Sequence, residues 1–527
     1  MIYHCEDHTC NYWDEGEKLP ERCPQCGRKL LRANEADMTG DDWTALGNTL
    51  WDAEASDKKR MVDCFRKAAY LGSAWGVCNL GICMEQGNGV EADPVQAFWL
   101  YQQAVEMGSL NAVCCLGVCY EHGIGRATDA EKAAELYCKA AEYGSPRGQM
   151  LLARAFHDGI GVEADAAEAV HWVRAAAYQR YGEGMYRLGV CYEYGDGVEQ
   201  SWEQAFSWYR RGAECGYPVS MSNLGLCYKR GYGVEQNWQE AIKWYEQGAQ
   251  CGDLQSMHNL ACCYERGEGV EQNEDRALYW YRRGAEAGSD YCMYCLGWNY
   301  SNGEGVEQNM TEAIRWYTAA AEGGNADAMQ SLGWHYDHGE GVEQDMKKAI
   351  CWYERAAEQN HPAAMNSLGE CYAMGRGVPR DLETAMEWYR RAAELGEAMA
   401  DYNMGWHLEQ AGKLSEAYAH YRKAADGNDD SAWWALGRFY ENGVVVAQDG
   451  KEARRCYETG EKLGSVKCKM RLARCKLLGI GGRRAKKAGL DLCRQALELA
   501  KESSEKEDYG YEAEMNLLRR TIAENES

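Results

Sequence analysis

The sequence is poor in proline, poor in basic residues and without a long apolar run. Only 7 of the 527 residues are proline, and this scarcity favours a chain that is nearly all helical, because proline breaks helix interiors. The 57 basic residues are outnumbered by 82 acidic ones, which gives a formal net charge of −25. That balance argues against general binding to nucleic acid or to an anionic membrane, since both attract a positive face. No apolar stretch approaches the roughly 20 residues that span a bilayer.

The first residues also lack the apolar segment of a signal peptide. They read Met1-Ile2-Tyr3-His4-Cys5. Hydrophobic residues make up 46% of the chain, which is too many for a disordered protein. We therefore expect a soluble, cytoplasmic protein with an extended core.

A Leu-Gly or Leu-Ala pair recurs along nearly the whole chain, with Met once in place of Leu. Its first residue defines position 0 of each repeat and occurs at Leu46, Leu80, Leu116, Leu152, Leu188, Leu224, Leu260, Leu296, Leu332, Leu368, Met404, Leu436 and Leu472. The spacing is 36 residues for nine consecutive steps from Leu80 to Met404. A fixed period of this length indicates a repeat architecture, and we predict about 13 repeats.

Each repeat has the pattern of two antiparallel helices, A and B. Position 0 and the aromatic residue at +4 share one face of helix A. Helix A ends at a Gly-x-Gly turn, as at Gly195 and Gly197, because glycine accepts left-handed backbone angles. A short capping residue at +13, such as Asp93 or Asn237, precedes helix B. Such a pair buries both faces only by stacking on its neighbours, so the pattern predicts a quasi-one-dimensional solenoid.

The repeat pattern resembles that of a known family. Leu-Gly-x-x-Tyr, then Gly-x-Gly-Val, a capping Asp or Asn, Ala-x-x-Trp-Tyr and Ala-Ala are similar to the Sel-1-like repeat, a relative of the tetratricopeptide repeat. The resemblance implies an all-α fold, a right-handed α-solenoid, over residues 37–505. Residues 1–36 precede it as a separate mini-domain, and residues 506–527 break the period and are predicted to form a capping helix.

The repeat cysteines follow the period. Seven occupy position +3, where we predict small buried hydrophobic side chains: Cys83, Cys119, Cys191, Cys227, Cys263, Cys371 and Cys475. His335 and His407 share this position. Some secreted members of the resembled family link helix B to the next helix A by a disulfide. Here Cys215 and Cys251 lie near helix B ends, but the positions of their expected disulfide partners are occupied by Asn223 and Asn259. The absence of this disulfide pattern favours a reducing compartment.

The four N-terminal cysteines have the spacing of a metal site. Cys23-Pro24-Gln25-Cys26-Gly27 resembles a zinc knuckle, in which two thiolates one turn apart bind one tetrahedral ion. We predict one structural zinc ion per chain on Cys5, Cys10, Cys23 and Cys26. His8 is the alternative to Cys10, and unbound reduced cysteines are the other reading. A segment of this size builds no core of its own, so a zinc-ribbon or rubredoxin-like mini-domain is the expectation.

Aromatic and amide side chains recur where helix A lines the groove of related repeat proteins. By that analogy we expect a peptide-binding groove, since aromatic rings offer rigid contact area and Asn bonds a peptide main chain. The expected groove residues are Asn223, Asn259, Tyr294, Trp298, Trp334, Tyr402, Trp406 and Trp434. The alternative for each Trp is packing against neighbouring rings in the core.

Basic residues concentrate near the C-terminus. Residues 451–494 contain 14 basic and 4 acidic residues, a net charge of +10. Arg438, Arg471 and Arg474 fall at groove positions and are the candidate anion-docking residues for an acidic segment. A solvated face that balances nearby acid is the alternative.

These features favour a non-catalytic scaffold that binds a protein or peptide, the role mostly described for the resembled family. One alternative is a regulator that contacts nucleic acid through the mini-domain and the basic end. Another is a β-lactamase-like hydrolase, because Ser56-x-x-Lys59 and Ser503-x-x-Lys506 match a nucleophile pattern. Both serines are predicted at helix starts, where serine caps helices, and no Lys-Thr-Gly element accompanies them. We therefore predict no enzyme.

Overall fold

The computed structural model describes residues 2–5, 13–15, 30–33, 35–51, 55–506 and 511–526. The chain divides into two compact units, Met1–Trp280 and Tyr281–Ser527. Each unit is described by itself below.

Three short strands precede the helices. They are β1 (Ile2–Cys5), β2 (Trp13–Glu15) and β3 (Leu30–Ala33), followed by a single 3-10 turn (Glu35–Asp37). β1 lies in the middle and pairs antiparallel with both others, so that Tyr3 lies opposite Asp14 and Arg32.

The first unit continues with helix pairs. They are α1 (Gly40–Thr49), α2 (Ala55–Tyr70), α3 (Ala74–Gln86), α4 (Pro94–Glu106), α5 (Leu110–His122), α6 (Ala130–Glu142), α7 (Pro146–Asp158), α8 (Ala166–Tyr178), α9 (Gly182–Tyr194), α10 (Trp202–Glu214), α11 (Pro218–Arg230), α12 (Trp238–Gln250), α13 (Leu254–Arg266) and α14 (Glu274–Glu286), in which the first unit ends.

The second unit contains the remaining helices. They are α15 (Asp290–Asn302), α16 (Met310–Glu322), α17 (Ala326–His338), α18 (Met346–Glu358), α19 (Pro362–Met374), α20 (Leu382–Glu394), α21 (Ala398–Gln410), α22 (Leu414–Asp426), α23 (Asp430–Asn442), α24 (Gly450–Lys462), α25 (Val466–Leu478), α26 (Lys486–Lys506) and α27 (Glu512–Glu526). Helices α1 to α26 form 13 A/B pairs, which confirms the predicted number of repeats and the helical solenoid.

The boundaries of the repeat helices follow the predicted capping chemistry. Helix A ends at a glycine with a left-handed backbone, as at Gly195 (φ 76°). Helix B begins after a residue whose side chain accepts a backbone N–H, such as Asn237 from Glu240. The repeat of Met404 departs from this pattern, because its two helices are separated by Ala411–Lys413 alone.

The core of a repeat is a tyrosine ring pressed against a glycine. The glycine is at +1 in helix A, where a Cβ atom would collide with the ring of the tyrosine that follows in helix B. The pairs are Gly81/Tyr101, Gly117/Tyr137, Gly189/Tyr209, Gly225/Tyr245, Gly297/Tyr317, Gly333/Tyr353, Gly369/Tyr389, Gly405/Tyr421 and Gly437/Tyr457. Glycine therefore sets the distance between the two helices of the repeat.

The position +3 residues also lie in this core. Six of the seven cysteines are buried, while Cys191 is half-buried. His335 and His407 are 3% and 8% exposed, and burial lowers the pKa of both imidazoles. The prediction of a small buried side chain at +3 is confirmed, and the two histidines share the core location.

The last helix closes the second unit. α27 packs on α25 and α26 through Met515 and Leu518, which join a buried cluster with Met470 and Leu477. α27 lies within the predicted capping segment 506–527, while α26 runs through Lys506 across its predicted start. Ser503 does not begin a helix as predicted, because α26 continues from Lys486 to Lys506. None of the helices in the described ranges is long and apolar enough to cross a membrane.

Candidate functional site

The A helices form one side of each unit, which we call the helix A face. Neighbouring A helices contact each other directly, as α3 does with α5 and α23 with α25. Asn223 and Asn259 lie on this face in the first unit, and the other predicted groove residues lie on it in the second unit. The structure therefore distributes the predicted groove over two units.

Three tryptophans on the second unit's helix A face are open to solvent. Trp298 in α15, Trp334 in α17 and Trp406 in α21 are 47%, 38% and 38% exposed. All three occupy position +2 of their repeats. The Trp334 ring stacks on His338 with centroids 4.4 Å apart, and Trp406 contacts the edge of His407 at 4.7 Å. These contacts orient the rings of Trp334 and Trp406, and part of each of the three indoles remains exposed.

The two predicted groove tyrosines pack against core tyrosines instead of projecting into solvent. Tyr294 packs on Tyr317 with centroids 5.8 Å apart, and Tyr402 packs on Tyr421 at 5.6 Å. Burial raises the pKa of Tyr402 to about 12. Both rings are half-buried, so they contribute to the packing beneath the helix A face and offer little area to a partner.

The asparagines at position −1 make local hydrogen bonds. Asn223 Nδ2 donates to the Val219 carbonyl at 2.8 Å, and Asn259 Oδ1 accepts from Gln255 at 3.1 Å. In the second unit, Asn403 Nδ2 donates to Asn366 at 3.0 Å. The groove prediction treated these amides as free. The structure pairs them with groups of the same helix or of a neighbouring A helix.

Trp434 lies beneath the last helix. Its indole N–H donates to Glu514 of α27 at 3.2 Å. The guanidinium of Arg438 lies 4.6 Å from the ring centroid and the Lys467 ammonium 5.2 Å from it. This position of the predicted groove is thus occupied by α27 of the same chain.

The three candidate anion-docking arginines come together, and each meets a carboxylate of the chain. Arg438 pairs with Glu409 at 2.9 Å. Arg471 pairs with Glu514 at 2.6 Å and with Glu441 at 3.3 Å. Arg474 also pairs with Glu441. The net charge of residues 451–494 suggested free cations because these acidic partners lie outside that block. Docking of an outside anion stays a prediction, and it requires displacement of an internal carboxylate.

A recurrent tyrosine–carboxylate pair was not predicted. The carboxylate at +5 of helix A accepts a hydrogen bond from the buried core tyrosine of its own repeat. The pairs are Tyr101/Glu85 and Tyr137/Glu121 at 2.6 Å, Tyr209/Glu193 at 2.5 Å, and Tyr421/Glu409 and Tyr457/Glu441 at 2.8 Å. The sequence signal was available as an acidic residue 12 or 16 positions before tyrosine. Two of these carboxylates, Glu409 and Glu441, also pair with the candidate anion-docking arginines.

The predicted zinc ligands lie almost entirely outside the described residues. Only the backbone of Cys5, at the end of β1, is described, whereas Cys10, Cys23, Cys26 and His8 are not. Within the described part of the chain, no group of three or more His, Cys, Asp or Glu side chains could hold a metal ion. The side chains of Ser56 and Ser503 also lie outside it.

The helix pairs, their glycine caps and their exposed A faces define an α-solenoid repeat protein. Eleven segments match the Sel1 repeat: residues 76–109, 112–145, 146–181, 182–217, 218–253, 254–289, 290–325, 326–361, 362–397, 398–429 and 432–465. The chain belongs to the Sel1 repeat family. Sel1-repeat solenoids generally serve as protein-interaction scaffolds.

Two solved structures are similar to the chain. The chain is similar to c5321, described as a protective antigen present in uropathogenic Escherichia coli strains, with 28% identity over 81% of this chain and 94% of that one and a TM-score of 0.52. It is also similar to a Sel1 repeat protein from Oxalobacter formigenes, with 31% identity over 46% of this chain and 96% of that one and a TM-score of 0.41. No curated protein matches the chain.

Proposed function

We propose that this chain is a non-catalytic scaffold that binds an extended peptide segment of a partner protein on the second unit's helix A face. The observation that carries the proposal is the set of exposed indoles at one repeat position, Trp298, Trp334 and Trp406. Exposed tryptophans that recur at one position on a single surface are typical of binding sites, because each buries a large area when a partner covers it.

The polar side chains near these rings suit a peptide main chain. Ser331 and Ser367 lie at position −1 of successive A helices and are half-buried. Glu370 lies at +2, between the repeats of Trp334 and Trp406, and accepts hydrogen bonds from Asn366 at 3.1 Å and Asn403 at 3.2 Å. An extended segment fits such a surface, because its N–H and C=O groups bond amides and carboxylates while alternate side chains meet indoles.

The test uses peptides selected from a random display library on the full chain. We expect Trp334→Ala and Trp406→Ala each to weaken the selected peptide at least about tenfold, a loss of about 1.4 kcal/mol. Trp99→Ala is the matched control, because Trp99 is 65% exposed on α4, a B helix of the other unit.

Thermal unfolding separates binding from stability. The proposal requires that Trp334→Ala and Trp406→Ala leave the melting temperature close to that of the unmodified chain. A sharp drop in both would show that the rings support the core. Equal peptide affinity in the Trp99→Ala and Trp406→Ala chains would place the binding surface elsewhere.

A further inference from the structure

The repeat of Leu152 lacks the tyrosine that fills the core of its neighbours. Val173 stands where the preceding repeat has Tyr137 and the following one has Tyr209, and Ala153 stands where they have glycine. At +5, where both neighbours carry a glutamate, this repeat has His157. The sequence thus changes at all three members of the tyrosine–glycine–carboxylate arrangement in one repeat.

A cavity of about 540 Å³ lies at this place, between α7, α8 and α9. Its volume is within the usual range of ligand pockets. The apolar wall includes Met150, Ala153, Val170 and Val173. All four are buried side chains, so the cavity reaches from the helix A face of the first unit toward the core.

Most charged groups that line the cavity form ion pairs within the chain. Arg154 pairs with Glu121 at 2.5 Å. His157 lies between Asp158, at 2.6 Å, and Asp196, at 3.2 Å, and its hydrogen bond with Asp158, supported by Asp196, raises the pKa of the imidazole. Arg154 with Glu121 carries no net charge, whereas His157 with its two aspartates keeps one negative charge when the imidazole is protonated.

Two arginines of the lining have no carboxylate partner in the described part of the chain. Arg147 in α7 donates to Asn111 at 2.6 Å and to the Cys115 sulfur at 3.6 Å. Arg187 in α9 is exposed, with its guanidinium 5.7 Å from the ring of Tyr186. The lining also includes Glu183, which accepts a long hydrogen bond of 3.4 Å from Tyr181. Arg147 and Arg187 are therefore the two cations of the lining with which an anionic ligand can pair without displacing an internal carboxylate.

We propose that this cavity is a binding site for an organic monoanion, a carboxylate carried on an aromatic or aliphatic body. The apolar body lies on the Ala153 and Val173 wall, where the tyrosine ring of the neighbouring repeats lies. The carboxylate pairs with Arg147 and Arg187, since guanidinium groups bind carboxylates through charge-assisted hydrogen bonds. The site is independent of the proposed peptide surface, because the exposed indoles belong to the other unit.

The test titrates the full chain with 3-phenylpropanoate by calorimetry. Two controls separate the parts of the ligand: 3-phenylpropan-1-ol keeps the ring and loses the charge, and acetate keeps the charge and loses the ring. We expect 3-phenylpropanoate to bind at least about tenfold more tightly than either control. A peptide that ends in a free phenylalanine carboxylate is a further arm, and whichever of the two acids binds more tightly identifies the source of the ligand.

Two sets of variants locate the site. Arg187→Gln should weaken 3-phenylpropanoate at least about fivefold, whereas Arg210→Gln, on the outer helix α10 and paired with Glu214, should not. Ala153→Gly with Val173→Tyr restores the pair found in the neighbouring repeats, so it should fill the cavity and abolish binding without lowering the melting temperature. Binding that survives Arg187→Gln unchanged, or equal binding of the alcohol and the acid, overturns the proposal even if the double variant fails to fold.

Discussion

The indole N–H of Trp434 in α23 donates a 3.2 Å hydrogen bond to Glu514 in α27. The same carboxylate pairs with Arg471 of α25 at 2.6 Å. Glu514 is 6% exposed, so one buried acidic residue connects the last helix to two A helices. This relationship explains why α27 lies on the helix A face and why the basic end carries less free charge than the sequence indicates.

We expect Glu514→Ala to loosen α27. The change leaves the Trp434 N–H without its acceptor and Arg471 with Glu441 alone, which should cost about 2 kcal/mol of local stability. Hydrogen exchange of residues 512–526 measures this loss as faster exchange in α27. Glu512→Ala, at an exposed position of the same helix, is the control.

The same variant tests the anion-docking prediction. If an acidic segment docks on Arg438, Arg471 and Arg474, a glutamate-rich peptide should bind the Glu514→Ala chain more tightly than the unmodified chain. Unchanged exchange in α27 would contradict the structural role of Glu514. Unchanged, negligible peptide binding at low salt would contradict docking.

The tyrosine–carboxylate pairs should contribute unequally to stability. The Tyr101 hydroxyl donates to Glu85 at 2.6 Å, whereas the buried Tyr245 hydroxyl has no hydrogen-bond partner in the described part of the chain. We expect Tyr101→Phe to cost about 1–3 kcal/mol, because it removes the donor to a glutamate next to the core, and Tyr245→Phe to be neutral or stabilising. Hydrogen exchange of the two repeats provides the comparison, and equal effects would show that the bond to Glu85 contributes nothing.

The glycine–tyrosine contact predicts that a substitution at the glycine destabilises the repeat and that a second substitution at the tyrosine compensates for it. A Cβ on Gly369 would lie 2.5 Å from Cε1 of Tyr389, so Gly369→Ala should destabilise its repeat by about 1–3 kcal/mol through overpacking. Adding Tyr389→Val should recover part of that loss, as Ala153 and Val173 coexist in the repeat of Leu152. Urea unfolding and local hydrogen exchange measure both steps.

Gly396→Ala is the control for this pair. Its Cβ would meet no atom within 4 Å, but the backbone is left-handed (φ 92°), so the cost should be about 1 kcal/mol and come from backbone strain alone. A Gly369→Ala chain no less stable than the Gly396→Ala chain would contradict the packing account.

The fold could be predicted from the sequence because the helix boundaries of each repeat depend on residues close together in the chain. The Gly turn after helix A and the cap before helix B are decided by a few neighbouring residues, as at Gly195 and Asn237. Contacts between side chains that are distant in the sequence could not be predicted from the repeat pattern. Glu514 lies 43 residues after Arg471, and no periodicity connects the two. The cavity beside Val173 was overlooked for a different reason, since one irregular repeat is hidden when the pattern is averaged.

The zinc prediction concerns residues of the mini-domain whose side chains the structure does not describe. We expect about one zinc ion per chain by elemental analysis, because four cysteines with this spacing fit one closed tetrahedral site. Cys23→Ser should lose the metal and leave the helical signal of the solenoid nearly unchanged. Cys10→Ser and His8→Gln separate the two ligand sets, since only the true fourth ligand should lower the zinc content. Well below one equivalent in freshly purified protein would contradict the site.

Asp429 should make the repeat of α23 less stable as the pH rises. Its carboxylate accepts the Ala432 N–H at 2.7 Å, but burial, aided by Asp430 and Glu397, raises the pKa of Asp429 to about 6. In the unfolded chain an aspartate has a pKa of about 3.9. The folded state therefore keeps the proton between these values, and stability falls as the pH rises from about 4 to 6 and is constant above.

Asp429→Asn removes this loss and keeps the cap, because asparagine caps helices as well as aspartate does. We expect the variant to match the unmodified chain near pH 4 and to exceed it by about 1–2 kcal/mol at pH 7.5, measured by hydrogen exchange of α23. Asp381→Asn should show the opposite sign, since hydrogen bonds from Thr384 lower the pKa of Asp381 and its contribution is lost as the pH falls. The same pH trend in both variants would contradict the assignment to Asp429, because it would reflect a general effect of removing an aspartate.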